Sequence, residues 1–186
     1  MRRLTRVTMA AAAGGALALG LAVGPASAAE GWDINTGWVE VPVEDEVGPV
    51  GATCDFDGDG EAAYYEVVPG QTTTVRLLVR FVYDDPTVSN ERVVMMWRVF
   101  DGLQFESSAG ASPESFTVDA RLLTRGHAVG SSADGETGTV STVGHGVFTA
   151  ADGTTLYRGV WAESAVLENS VPVEYTLTGP CSLDVE

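Results

Sequence analysis

The chain has 186 residues, with 26 Asp and Glu against ten Arg, no Lys, and a formal net charge of −16. A surface of that sign repels nucleic acid and anionic membranes, leaving neutral or cationic partners.

At the N-terminus Arg2, Arg3 and Arg6 precede an apolar run from Val7 to Val23 that ends in Ala26-Ser27-Ala28. Basic, apolar and small-x-small segments in that order read as an export signal. Residues 1–28 are therefore expected to be a signal peptide cut after Ala28, and 29–186 a single secreted, extracellular domain. The Arg2-Arg3 pair leaves both the general and the twin-arginine export routes open. The leader carries three Arg and no acid, so its loss takes the net charge from −16 to −19. What remains suffices for one core and is short for two domains.

The mature chain opens on Trp32 and Trp38, and Trp38 to Val43 alternates like a strand in which Pro42 allows only an edge position. Glu44-Asp45-Glu46 reads as a solvated acidic corner. Then comes the most distinctive stretch, Asp55-Phe-Asp-Gly-Asp-Gly-Glu-Ala-Ala-Tyr-Tyr-Glu66. Counted from Asp55, carboxylates fall at positions 1, 3, 5, 7 and 12 with glycine at position 6. A hard cation such as Ca²⁺ takes six to eight oxygens, and alternate side chains of a tight loop supply them. The stretch resembles the calcium loop of the EF-hand family and matches its D-x-D-x-D-G-x5-E pattern over those twelve residues. The resemblance implies Ca²⁺ ligands at Asp55, Asp57 and Asp59, the backbone carbonyl of Glu61, and a bidentate Glu66. The family's flanking helices are not evident, since Val67-Val68-Pro69-Gly70 stops a helix within a turn, so a static structural site is expected and not a sensor. A solvated acidic turn is the alternative, because Asp-Gly pairs favour turns without metal.

Cys54 and Cys181 are the only cysteines, and in an oxidising compartment they are expected to form one intrachain disulfide. Thr72 to Tyr83 alternates cleanly, and Glu91 to Phe100 returns with apolar residues on both faces, Trp97 among the expected core. Residues 101–114 read as a loop, Phe116 to Leu122 as a further strand, and 125–138 as a second loop of small residues. Ala151-Asp152-Gly153-Thr154 is a hairpin turn between arms at about 139–149 and 155–167. Val171 to Leu177 gives a last, half-buried strand. The pattern predicts an all-β fold, an antiparallel β-sandwich of about seven strands, with a small β-barrel as the alternative.

Catalytic signatures are sparse. There is no G-x-S-x-G elbow, His127 and His145 lack metal-ligand spacing, and a carboxylate pair for glycoside hydrolysis cannot be placed, Glu163 beside Trp161 being the least arbitrary candidate. Trp32, Trp38 and Trp161 are candidate stacking platforms for a sugar. The expected function is a secreted, non-catalytic binding module, monomeric, meeting a neutral glycan or another protein. A small carboxylate hydrolase, or an enzyme inhibitor or toxin-like protein presenting 101–114, are the alternatives.

Overall fold

A computed structural model of the protein describes residues 31–43, 49–82, 91–107, 111–131, 135–169 and 171–185. The leader, the Glu44–Glu46 corner and the turn at 84–90 lie outside them. The described residues form eleven strands and no helix. In chain order these are β1 (Ile34–Asn35), β2 (Val39–Pro42), β3 (Pro49–Cys54), β4 (Ala63–Val67), β5 (Thr72–Val82), β6 (Glu91–Glu106), β7 (Ser115–Ser131), β8 (Gly135–Ala150), β9 (Thr155–Glu168), β10 (Val171–Thr178) and β11 (Cys181–Val185).

All belong to one antiparallel sheet, whose main path runs β10-β9-β8-β7-β6-β4-β3-β11. The all-β antiparallel class expected from the sequence is the one formed, and the curl of this single sheet makes it barrel-like. The curl originates at β6, which changes partner along its length. Residues 91–99 pair with β5, whereas Phe105 and Glu106 pair with β4. Between these halves the ladder with β7 slips from Phe100 to Leu103. Gly102 occupies the slip at φ 64°, and its N–H donates to Asp119 Oδ1 at 2.8 Å. A bulge of this kind sharpens twist and bends the strand, so the β4-β3-β11 wing turns back towards β10. The chain then steps directly from β10 to β11 through Gly179-Pro180, almost completing the ring.

Inside the curl lies the main core. Phe105 stacks on Phe116 at 5.0 Å, Tyr65 meets Phe116 edge-on at 4.9 Å, and Phe148 does the same to Trp161 at 5.3 Å. Two glycines of β8 leave space for their neighbours: a Cβ on Gly144 would land on the Trp161 ring, and one on Gly146 on the Asp119 carbonyl. β1 and β2 pair only with β5, and Val39 and Val41 of β2 join Val75 and Met96 in a separate, smaller cluster.

Two expected loops are strand in part, 101–114 up to Glu106 and 125–138 over most of its length. β6 continues through the bulge to Glu106, and β7 and β8 run through most of 125–138, where Gly138 sits against the His127 carbonyl with no space for a side chain. The hairpin turn is as expected. Gly153 has φ 86°, Thr154 N donates to Asp152 Oδ1 at 2.8 Å, and Ala150 N donates to Thr154 O at 2.9 Å.

Candidate functional site

Three places could carry function: the acidic loop, a polar belt inside the sheet, and a groove on its outer face. The loop between β3 and β4 is held by its own amides. Asp55 accepts from Gly58 N (2.7 Å) and Gly60 N (3.0 Å), and Asp59 accepts from Glu61 N (2.7 Å). Phe56, between the first two acids, turns the other way and packs edge-on against Phe116 at 5.1 Å. Alternation thus anchors the loop to the core through Phe56 and leaves the acids outside. Carboxylate oxygens of Asp55, Asp57 and Asp59 converge within 4.8 Å of one another, a donor set of the hard-oxygen type that Ca²⁺ takes. Burial, and secondarily the negative charge of Asp57, push the Tyr65 phenol up from its ordinary pKa.

The other two residues implied by the loop pattern are placed differently. Glu61 follows the cluster and contributes its amide to Asp59. Glu66 lies on β4, opposite Gly51 and Glu106, and is not among the converging carboxylates. In an EF-hand the helix after the loop brings position 12 back to the metal; here a strand begins at Ala63 and leads away. Cys54 and Cys181 are joined as expected, directly opposite each other on β3 and β11. Asp55 N also donates to Pro180 O at 2.8 Å, so the loop's first residue is tied to the β10–β11 turn.

Inside the curl a belt of polar groups crosses the sheet, and of its members sequence reasoning points only to Glu163. Arg98 Nη2 donates to Thr124 Oγ1 (3.2 Å), which bonds Thr142 Oγ1 (2.9 Å). Thr142 is opposite Glu163 in the ladder, and Glu163 Oε2 accepts from Tyr175 (3.3 Å) and Ser182 (3.2 Å). Arg98 is 2% exposed, and its Nε and Nη1 have no hydrogen-bond partner. Burial drives its pKa down to about 10, against the opposing pull of Glu163. Glycoside hydrolysis needs two facing carboxylates. By register two carboxylate positions of β5–β9 fall on the inner face, Glu163 opposite Thr142 and Glu136 six residues further along β8, roughly 20 Å away at strand spacing, so they do not face each other. The histidines do not combine either. His127 bonds Glu91 at 2.7 Å, whereas His145 is opposite Arg121, six residues further along β7, roughly 20 Å at strand spacing.

The outer face corrects the tryptophan assignments. Trp161 is 1% exposed and belongs to the core, so its ring offers no stacking surface. Trp97, expected in the core, instead faces outwards, because Arg98 takes the inward position beside it. The Arg76 guanidinium lies 5.7 Å from the Trp97 ring centre, within cation–π range. Trp32 is half-buried, and Trp38 stands 54% exposed. Trp38, Trp97, Thr74, Val99 and Arg121 line a groove of about 440 Å³, a volume in the range of small-ligand sites.

Comparison of the chain with protein-family models, with curated proteins and with solved structures finds no match.

Proposed function

We propose that the chain is a secreted, non-catalytic binding domain that meets a glycan or a protein through the Trp38–Trp97 groove. The observation that carries this reading is the groove itself. An exposed indole beside a second, half-buried one, on a sheet face rigidified by long ladders, is costly to leave in water without a partner. Trp38 gains little for the fold where it stands, unlike Trp161 at the centre of the core. The carboxylates that register places on the inner face of β5–β9, Glu163 and Glu136, lie roughly 20 Å apart along the ladder and do not face each other, which weighs against the carboxylate hydrolase. Of the 101–114 stretch, residues 101–106 are strand, which weighs against an inhibitor that presents all of it as a loop.

The acidic loop and the disulfide serve stability in this reading. Ca²⁺ held by Asp55, Asp57 and Asp59 would neutralise three converging charges at the seam where β3, β11 and the β10–β11 turn meet. Extracellular calcium is abundant enough to fill sites as weak as ~10⁻⁴ to 10⁻³ M.

Retention of the mature, disulfide-bonded protein on a panel of immobilised polysaccharides and extracellular protein extracts tests the proposal. Retention on at least one matrix, lost with Trp38→Ala while the melting curve is unchanged, is the expected outcome. Retention that survives Trp38→Ala, or none on any matrix, would remove the groove as a binding site.

A further inference from the structure

We infer that the ligand of the groove is a carboxylate-bearing saccharide, a uronate chain; the inference rests on the binding reading above and names its substrate class. Net charge alone points to neutral or cationic partners, but it averages over faces that the ladders separate. Of the seven arginines beyond the leader, Arg92 and Arg98 are buried. The other five, Arg76, Arg80, Arg121, Arg125 and Arg158, share the outer face by register.

Three neighbouring cross-strand rows contain the groove. The first runs Glu40, Thr74, Val99, Arg121, His145 and Val160. The second runs Arg76, Trp97, Leu123, Val143 and Ala162, and the third Leu78, Met95, Arg125, Ser141 and Ser164. In these rows three guanidiniums meet one carboxylate, and that one, Glu40, already accepts a hydrogen bond from Thr72 at 2.6 Å. A chain of net charge −19 after loss of its leader thus presents a locally positive, aromatic-lined strip.

Charges separated by more than about 8 Å are largely screened at physiological ionic strength. A narrow chain lying along the strip senses the arginines, whereas a bilayer would meet the acidic surround as well. The chemistry within the strip divides naturally. An exposed indole presents a flat apolar surface to the C–H face of a pyranose ring, and guanidinium forks pair with carboxylates in two parallel hydrogen bonds. Arg76, resting on Trp97, and Arg121, at the groove wall, place such forks on the same surface as Trp38. Stacking alone would suit a neutral sugar; stacking bordered by guanidiniums selects one with a carboxylate.

Isothermal titration of the mature, disulfide-bonded protein with glucuronate oligomers, and with glucose oligomers of the same linkage and length, isolates the carboxylate. Uronates should bind at least about tenfold more tightly, the range of a hydrogen bond to a charged group. That advantage should shrink as salt rises from about 0.05 to about 0.5 M. Arg121→Gln, an exposed position, should reduce uronate affinity towards the neutral value, and Trp38→Ala should weaken both series. Equal, salt-insensitive affinity for the two series would overturn the inference and leave a neutral-glycan groove. Poly-glutamate that binds as tightly as the uronates and competes with them would assign the strip to acidic protein. If neither oligomer binds, the inference fails, and retention on some other matrix would still support the broader binding reading.

Discussion

Removing the disulfide by Cys54→Ala with Cys181→Ala tests how the ring is closed. The bridge links residues 127 apart in sequence. In the chain-entropy account a cross-link of this span restricts the unfolded state by about 16 to 17 cal/mol/K, or about 5 kcal/mol at room temperature. Both cysteines are buried, and alanine avoids burying a hydroxyl there. The β3–β11 ladder, which pairs Cys181 to Val185 with β3, remains to hold the native strand, so the loss should act mainly on the unfolded side. Urea unfolding followed by tryptophan fluorescence should show the double variant about 3 to 5 kcal/mol less stable, and the melting temperature lower by roughly 10 to 15 °C for a domain of this size. Wild type under reducing conditions should match the variant. A loss below about 1 kcal/mol would refute the argument that the bridge closes a long loop between otherwise distant parts of the chain.

Gly144→Ala should cost about 1 to 3 kcal/mol by overpacking, since its Cβ meets the buried Trp161 ring; a neutral effect in thermal melts would mean that the indole does not lie over β8. Adding about 2 mM Ca²⁺ to chelator-stripped protein should stabilise it by roughly 2 kcal/mol if the site has a Kd of ~10⁻⁴ M. The gain should vanish in Asp59→Ala, and a calcium response that persists there would place the metal elsewhere. Hydrogen bonds from Thr154 hold the Asp152 carboxyl below its ordinary pKa. The turn stability that this contributes is present above the ordinary value and is lost as pH falls through the depressed one. The Thr154 amide signal should therefore titrate with a midpoint below that of a free aspartate, and a midpoint at or above it would contradict the turn geometry.

Local chemistry was the most legible part of the sequence. The Asp-Gly turn at 152–153, the alternation of β5 and the convergence of the three loop aspartates each follow from a few adjacent residues. Compartment logic paired Cys54 with Cys181. What escaped was set by distant strands. Gly138 reads as a loop former because its structural reason, the close approach of the His127 carbonyl, lies across a ladder. Trp97 reads as core because a strand apolar on both sides does not announce which face is inside, and here Arg98 takes the buried position beside it. Glu66 completed a pattern in the sequence but not in space, since the strand that follows the loop carries it away. The strip of arginines could not be seen at all without the register, because its members, Arg76, Arg121 and Arg125, come from β5 and β7, which β6 separates in the sheet.

The most direct test of the binding account is a titration of the four tryptophan indole N–H signals by two-dimensional NMR as glucuronate oligomer is added. Trp38 and Trp97 should shift in a saturable manner while Trp161 stays still, because the ligand lies on the outer face. Movement of Trp161 with Trp38 unchanged would put the ligand inside the curl, beside Arg98 and Glu163, and would contradict the account.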